Sequence, residues 1–452
     1  MDTAKRKILI IGAGLAGSEC AHYLASSGHQ IFLVESKQIK PTPAQKLKSC
    51  AELVCTNSLK SLRPDSAHGI LKNEMEALGS LILTAAKLFA VPAGDALAVD
   101  REKFSQYIHN ALESHPNITL IAREAFNPLE LMQEYDCQHV VIATGPLTSP
   151  GLEEWIVANL SSDDFYFYDA IAPVVEAESL NMEKLFFMDR YGQFGQGDYL
   201  NVPMNKDEYE QFISELIKAE KVPCKDFEQE KFFEACLPID VMAQRGRDTA
   251  RFSCMKPVGL EPEGGKRAYA VVQLRKENLL GSAFNLVGFQ TRLTYKEQLR
   301  VFKMIPGFEN ANFLHLGSVH RNSFLNSKKL LNFDLASKQF PQLSFAGQIV
   351  GVEGYTESAS IGLYLGYQLN RKLQGLEVRP FPRESAIGAL INYIMTWEKA
   401  SPSSINFGLM PSVELSREEL KSKKGRKKVK QEKVATRAVQ IFSNFMSLEN
   451  QC

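Results

Sequence analysis

A glycine-rich turn near the start of the sequence constrains the fold most strongly. Residues 12–17 are Gly-Ala-Gly-Leu-Ala-Gly, directly after an apolar run at residues 7–11 that is typical of a buried parallel strand. Residues 18–25 have the composition of a helix, and a second apolar run at residues 30–34 is followed at once by a glutamate. This order predicts a dinucleotide-binding βαβ unit, whose turn and helix N-terminus hold a pyrophosphate and whose acid accepts ribose hydroxyls. A tight turn in an ordinary βαβ unit is the alternative, but it requires neither three glycines nor the acid. The cofactor-binding residues predicted here are Gly12, Ala13, Gly14, Leu15, Ala16, Gly17 and Glu35.

Size and composition narrow the class of protein. The chain has 452 residues, enough for two or three domains with a large core. Its 52 basic and 52 acidic residues balance, so any nucleic acid must be held by local patches. The eight cysteines show neither C-x-x-C pairs nor zinc spacing, which predicts no metal site and no disulfide framework and fits a reducing cytoplasm. No apolar run is long enough to span a membrane, and we interpret the first one as a strand rather than a signal peptide.

Two later segments carry signals of the same kind. Residues 140–145 form a predicted strand that ends in Ala-Thr-Gly, where a sheet strand meets the cofactor a second time. Residues 343–348 form another predicted strand, followed by a glycine-rich turn into a helix, a place where a second helix N-terminus often caps a flavin ring. The cofactor contacts predicted in these segments are Thr144, Gly145, Gly347, Gln348, Gly351 and Gly354.

The remaining sequence predicts a discontinuous nucleotide-binding domain. Residues 36–68 are expected to form a long functional loop followed by helical turns, residues 91–100 an irregular segment, and residues 101–113 a helix. Residues 165–330 are rich in aromatics, prolines and short alternating runs, which is typical of an α+β insertion. We therefore expect the α/β class, with a Rossmann-like FAD-binding domain of the glutathione-reductase type and an α+β insertion domain. The expected boundaries are 1–150 and 331–395 for the FAD-binding domain, 151–330 for the insertion, and 396–452 for a basic helical tail packed on the FAD-binding domain.

Several further motifs are more specific than the glycine turn. They include Ala-Glu-Leu-Val-Cys-Thr-Asn-Ser, Phe-Phe-Glu-Ala-Cys-Leu-Pro and Met-Lys-Pro-Val-Gly-Leu. Together with the glycine turn, these motifs make the chain resemble the TrmFO family of folate- and FAD-dependent tRNA uracil-5-methyltransferases, from the first strand to the basic tail. One departure is Ala235, where the family usually has glycine, and it affects the local backbone if that position needs positive φ. The segments that carry the resemblance are residues 11–19, 51–58, 91–94, 96–101, 143–149, 232–238, 255–260, 287–291, 320–322 and 346–358.

The resemblance implies a reaction and its partners. A methylene group passes from 5,10-methylenetetrahydrofolate to the flavin of FAD and then to C5 of the T-loop uridine, position 54 of tRNA. Reduced flavin supplies the hydride that completes the methyl group, and NADH or NADPH reduces the flavin again. The same chemistry on ribosomal RNA is the alternative, because a close relative acts there. We expect a cytoplasmic protein, monomeric and not bound to a membrane.

Methylation of uracil at C5 requires a thiol. C5 is a poor nucleophile until a thiolate adds to C6, and a base must later remove the C5 proton. By resemblance, Cys236 is the C6 nucleophile and Cys55 the second essential thiol, either as proton acceptor or as a partner in handling the flavin-bound methylene. The alternative for each is a buried, small apolar residue.

The resemblance also implies residues for folate. His320 is expected to stack its imidazole on the folate pterin, Arg321 to lie near the folate or a phosphate, and Tyr355 to flank the same pocket. The alternatives are ordinary packing for His320 and a turn aromatic on the sheet for Tyr355.

Two basic segments are candidates for RNA binding, which depends largely on phosphate neutralisation. One lies in the tail between residues 417 and 433, and the other follows Cys236. A solvated charged face is the alternative for both. Recognition would depend on RNA shape and an exposed loop base. The predicted contacts are Arg245, Arg247, Lys424, Arg426, Lys427 and Lys428.

Two other classes of function compete with RNA methylation. The first is a flavoprotein oxidoreductase with redox-active cysteines and no RNA substrate, which the wide separation of Cys55 and Cys236 disfavours. The second is a non-catalytic RNA-binding protein with structural FAD, which the intact cysteine motifs disfavour.

Overall fold

A computed structural model of the chain describes most of its length. For residues 166–170, 319–323 and 426–427 the description covers the backbone alone. The described residues are 5–42, 45–160, 166–170, 172–222, 237–261, 267–277, 281–317, 319–396, 402–416 and 426–449.

Strands and helices alternate along the chain, as expected of the α/β class. The first third contains β1 (Lys7–Ile11), α1 (Leu15–Ser26), β2 (Gln30–Glu35), β3 (Ser58–Ser61), α2 (Ala67–Ala77), α3 (Leu81–Leu88), β4 (Ala90–Val91), β5 (Ala96–Val99), α4 (Arg101–Glu113), β6 (Ile118–Ala122), α5 (Pro128–Glu134), β7 (His139–Ile142) and α6 (Pro150–Asn159). The middle contains β8 (Tyr166–Ala170), β9 (Val174–Glu176), β10 (Phe186–Phe187), β11 (Tyr199–Met204), α7 (Lys206–Lys218), α8 (Ile239–Arg245), α9 (Thr249–Phe252), β12 (Ala270–Lys276), β13 (Ala283–Leu286), α10 (Tyr295–Phe302), β14 (Phe313–His315), β15 (Val319–Ser323) and α11 (Ser327–Leu330). The last part contains β16 (Leu343–Phe345), α12 (Tyr355–Leu373), α13 (Ala386–Thr396) and α14 (Arg426–Glu449).

A five-stranded parallel sheet organises the nucleotide-binding part. Its order is β16-β7-β1-β2-β6, so the late strand β16 joins strands from the first third of the chain. Ile10 of β1 pairs with Leu33 on one side and Val141 on the other. β1 is an almost uninterrupted apolar run because helices cover both faces of a parallel sheet. The predicted α/β class with a Rossmann-like sheet is confirmed.

Local predictions differ from the structure at three places. Residues 36–68 were expected to form a long loop followed by helical turns, but they contain strand β3, because Ser58 and Ser61 pair with the distant strand β5. Residues 91–100 were expected to be irregular, and this expectation is wrong: β4 and β5 pair antiparallel with each other, and β5 pairs with β3. Pro92 and Gly94 suggested a loop, but they occupy only the turn between two short strands. Helix α1 begins at Leu15, before the expected Ser18, because Gly14 is already its N-cap residue.

Helix α4 has the predicted bounds. The side chain of Asp100 caps it by accepting a hydrogen bond from the Lys103 backbone N–H at 3.2 Å. Its first residue, Arg101, therefore has a fixed position at the end of β5.

The middle of the chain forms a mainly antiparallel α+β unit. A six-stranded sheet has the order β10-β11-β12-β13-β9-β14. One face packs in an apolar core that includes Val272, Leu274 and Phe284. Arg275 and Asn285 are paired residues of β12 and β13, and both belong to the other face. That face carries polar contacts to the first third of the chain.

Helix α12 joins the late segment to the nucleotide-binding core by packing on α1. A Cβ at Gly362 would overlap the backbone of Ala16, so only glycine allows this close approach. The core of the parallel sheet takes side chains up to Ile156 and resumes at Leu325.

The tail helix α14 packs on the same core. The ring of Phe442 lies 5.3 Å from that of Phe381, and Glu449 pairs with Arg371 at 2.8 Å. None of the helices in the described part of the chain is both long enough and apolar enough to cross a membrane.

Candidate functional site

The predicted glycine turn has the geometry of an anion-binding loop. Gly12 has φ of +102°, and a Cβ there would lie 2.6 Å from the carbonyl oxygen of Ala143, so the position requires glycine. A Cβ at Gly14 would meet none of the described atoms within 4 Å, so the backbone is open at that point. Leu15, Ala16 and Gly17 form the buried first turn of α1. The N-terminus of this helix, with its unpaired N–H groups and positive dipole end, therefore stands behind an exposed backbone turn.

Glu35 is tied to the glycine turn at the end of β2. One carboxylate oxygen accepts the backbone N–H of Ala13 at 2.7 Å, and the other accepts that of Lys37 at 2.8 Å. Each oxygen retains further acceptor capacity, so the carboxylate can also accept ligand hydroxyls.

A cleft opens beside these residues. Lys37, Thr42 and Arg123 line the cleft together with Thr144. The Thr42 hydroxyl is buried and has no hydrogen-bond partner among the described residues, so it is available to a ligand. Sequence analysis missed these three residues. The Pro-Thr-Pro run around Thr42 was the available signal.

The late glycine segment lies beside the early one. Gly347, Gly351 and Gly354 all have positive φ, as does Gly145 in the turn after β7. A Cβ at Gly347 would lie 2.7 Å from that of Ala16, which places it against the first turn of α1. The other predicted late residue, Gln348, donates to Glu353 at 2.6 Å. The two halves of the predicted nucleotide site therefore meet in space.

The loop that carries Cys55 is attached to the N-terminus of α12. The hydroxyl oxygen of Tyr355 accepts the backbone N–H of Cys55 at 2.6 Å and that of Thr56 at 3.1 Å. Burial, with Cys55 nearby, raises the pKa of Tyr355 above its ordinary value. The predicted folate residue Tyr355 therefore lies against Cys55 and stays protonated.

Other cysteines differ from Cys55 in their surroundings. Burial raises the pKa of Cys50 to about 12 and that of Cys137 to about 11, and it also raises the pKa of Cys20. These three thiols are buried and neutral at ordinary pH, whereas Cys55 is partly exposed.

Arg101 is a contact of the Cys55 loop that sequence analysis missed as a site residue. Its guanidinium donates to the carbonyl oxygens of Leu53 at 2.8 Å and Cys55 at 3.2 Å. It also pairs with Glu277: Nη2 donates to one carboxylate oxygen at 3.0 Å, and Nε lies 2.7 Å from the other without hydrogen-bond geometry. Glu277 is distant in sequence, so no local motif connects the two residues.

The structure describes three of the proposed catalytic and folate residues incompletely or not at all. Cys236 lies outside the described residues. His320 and Arg321 belong to β15, where they pair with Asp169 and Tyr168 of β8, but only their backbone is described.

The candidate RNA residues differ in their environments. Arg247 donates to the carbonyl of Glu210 and to the hydroxyl of Ser214 at 2.6 Å, so part of its guanidinium is engaged within the protein. Arg245 ends α8. Lys428 is exposed on α14 and lies 3.8 Å from Glu432. Lys424 lies outside the described residues, and Arg426 and Lys427 begin α14 with only their backbone described.

Fold and site together define a nucleotide-binding α/β protein of the GidA class. The family model described as glucose inhibited division protein A (GIDA) matches residues 7–377. Two crystal structures of Aquifex aeolicus GidA superpose with TM-scores of 0.69 and 0.64 at 16% identity. They cover 97% and 98% of this chain, and 76% and 74% of the respective GidA chains. At this identity the likeness establishes the fold alone.

Closer sequence relatives define the family more narrowly. A protein of Natranaerobius thermophilus named methylenetetrahydrofolate–tRNA-(uracil-5-)-methyltransferase TrmFO is 49% identical, over 97% of this chain and 99% of the relative. The Aquifex aeolicus protein of the same name is also 49% identical, over 99% and 98%. One from Bdellovibrio bacteriovorus is 50% identical, over 90% and 92%. The chain belongs to the TrmFO family, which confirms the resemblance inferred from its motifs.

Proposed function

We propose that this chain transfers the one-carbon unit of 5,10-methylenetetrahydrofolate, by way of FAD, to C5 of the uridine at position 54 of tRNA. The observation that carries the proposal is near-half identity, over almost the full length, to enzymes named for this folate–tRNA reaction. NADH or NADPH would serve as the reductant. The glycine turn, Glu35 and the Cys55 loop support the same conclusion.

The residues of the cleft fit FAD. The N-terminus of α1 and the open backbone at Gly14 suit a pyrophosphate, Glu35 suits ribose hydroxyls, and the unpartnered Thr42 hydroxyl suits a further polar group. When bound, FAD supplies a carrier for the methylene group and the hydride that completes the methyl. Of the other predicted cofactor residues, Thr144 lines the cleft and Gly347 lies against the first turn of α1.

The protein residues supply nucleophilic and positioning chemistry. Cys236 is proposed to add to C6 of uracil, and Cys55 to act as the second thiol near the flavin. A thiol of ordinary pKa is only a few per cent thiolate at neutral pH, and each unit by which the pKa falls stabilises the anion by about 1.4 kcal/mol. The Tyr355 hydroxyl accepts hydrogen bonds from two backbone N–H groups and keeps its own proton. It can therefore hold the loop and still donate a hydrogen bond.

Other groups are proposed for folate and RNA. His320 and Arg321 would hold the folate. The basic tail, together with the arginines after Cys236, would neutralise RNA phosphates.

We propose a FAD-binding domain at residues 1–150 and 331–395, an insertion domain at residues 151–330, and a basic helical tail at residues 396–452. A monomer in the cytoplasm remains our expectation.

A radiolabel experiment tests the proposed function. Purified protein is incubated with FAD, NADH or NADPH, labelled methylenetetrahydrofolate, and either unmodified tRNA or unmodified ribosomal RNA. We expect label in 5-methyluridine of tRNA at position 54 and none in ribosomal RNA, since the relatives above are named for tRNA. Label only in ribosomal RNA would favour the same chemistry on that RNA instead. NAD(P)H oxidation with no labelled RNA would favour a flavoprotein oxidoreductase without an RNA substrate.

A further inference from the structure

The Cys55 loop is held from a second side by contacts that nucleotide binding does not explain. The Arg101 clamp comprises Arg101, Glu277 and the carbonyl groups of Leu53 and Cys55, joined at the distances given above. Arg101 is the first residue of α4, and Glu277 directly follows β12 of the insertion sheet. Glu277 lies 176 residues after Arg101 in the sequence, so the clamp joins the Cys55 loop to a distant element.

A second link runs parallel to the clamp. Asn57, which is fully buried, donates to the carbonyl oxygen of Lys276 at 2.8 Å. Its own side-chain oxygen accepts from Nε of Arg275 at 2.8 Å. Arg275 and Lys276 thus hold the segment directly at Asn57, and Glu277 holds it at Leu53 and Cys55 through Arg101.

The geometry of the clamp fixes orientation as well as distance. Nη1 of Arg101 donates to the carbonyl of Leu53, and Nη2 donates both to the carbonyl of Cys55 and to Glu277. One planar guanidinium thus engages three acceptors at the same time. A lysine could supply the charge but lacks this planar set of donors. Burial acts to lower the pKa of Arg101, but the neighbouring carboxylate of Glu277 outweighs it and raises this pKa, so the guanidinium stays cationic.

We propose that Arg101 and Glu277 are positioning residues for the Cys55 thiol, so that this thiol is correctly placed only while the end of β12 is docked on the loop. The proposal rests on the proposed function in assigning Cys55 to the reaction. Neither residue needs to touch substrate, because both act through the loop backbone.

The test measures the reactivity of individual cysteines by mass spectrometry after brief iodoacetamide treatment of the full-length protein. In Glu277→Ala we expect Cys55 to be alkylated about fivefold faster, because the loop opens locally, while the buried Cys50 and Cys20 keep their wild-type rates. We also expect kcat for methyl transfer to fall about tenfold or more, with little change in KM for the folate. Arg101→Lys should behave in the same way, because lysine lacks the planar set of donors that reaches the three acceptors.

Two further variants keep the test decisive. Glu277→Ala leaves a buried, unpaired cation, so the double variant Arg101→Met with Glu277→Leu removes the clamp without that penalty. Glu309→Ala breaks the exposed Lys184–Glu309 pair of the insertion unit, at 2.6 Å, and should change neither measurement.

Distinct results would overturn the proposal. A folded double variant with wild-type Cys55 alkylation and wild-type kcat would show that the clamp does not position the thiol. Equal acceleration at Cys50, Cys20 and Cys55 would show general loosening and would likewise overturn it. Methyl transfer retained in Cys55→Ser would instead refute the role of Cys55, and the alkylation pattern would still report on the clamp.

Discussion

At the scale of single residues, the hydroxyl of Tyr355 has an unusual role for a side chain at a helix start. It accepts two consecutive backbone N–H groups, those of Cys55 and Thr56, and thereby replaces the partners that a strand or helix would provide. Its pKa is raised by burial, so it keeps a proton that can be donated. The hydroxyl oxygen of Tyr355 therefore fixes the backbone at Cys55, and its O–H group can still donate a hydrogen bond.

Replacing Tyr355 by phenylalanine should affect stability and activity together. Tyr355→Phe leaves two partly buried N–H groups unpaired, so we expect a loss of about 2 kcal/mol in the free energy of unfolding, measured in urea. Methyl transfer should fall because the Cys55 loop shifts.

Tyr364→Phe is the matched control for that substitution. The Tyr364 hydroxyl donates to the carbonyl of Phe333 at 2.7 Å, away from the Cys55 loop. This variant should lose stability and keep its activity. Wild-type activity in Tyr355→Phe would refute the role given to the hydroxyl.

At the scale of elements, the contact between β7 and the edge strand β16 of the parallel sheet contains a buried histidine. His139 of β7 lies 2.9 Å from the hydroxyl of Ser344 in β16. Burial, aided by the charge of Lys372, lowers the pKa of His139 to about 3. This neutral imidazole is part of the joint between the early and late halves of the sheet.

The histidine makes the stability of this joint dependent on pH. The folded-state pKa lies below the ordinary value of 6.5, so the unfolded chain binds more protons between those two values. Stability is therefore lost as pH falls from 6.5 towards 3, by about 2 kcal/mol between pH 6.5 and 5. Urea unfolding at pH 7 and pH 5 should show a smaller pH difference in His139→Gln than in the wild type. An equal difference in both proteins would contradict this assignment.

Sequence predicted the elements that depend on local spacing and missed those that depend on distant contacts. The glycine turn, β1 and α4 follow from runs of neighbouring residues, and each was predicted at its observed place. β4 and β5 were missed because two short strands beside a proline and a glycine carry little local signal. The clamp partner Glu277 was missed because only the docking of β12 brings it to Arg101.

At the scale of the whole molecule, one chain brings three separated segments to the Cys55 loop. The first third supplies the loop and Arg101, the end of β12 supplies Glu277, and the start of α12 supplies Tyr355. The glycine turn and the late glycine segment meet at the first turn of α1, which packs in the core of the parallel sheet. This convergence agrees with an enzyme that must hold a nucleotide cofactor and a reactive thiol together.

In the proposed reaction, Cys236 adds to C6 of uracil while FAD is held on the parallel sheet. The most direct measurement compares wild type and Cys236→Ser for transfer of label from methylenetetrahydrofolate to unmodified tRNA, with flavin content read from the absorption spectrum. We predict that Cys236→Ser keeps its bound flavin and loses label transfer. Unchanged label transfer in that variant would contradict the role proposed for Cys236.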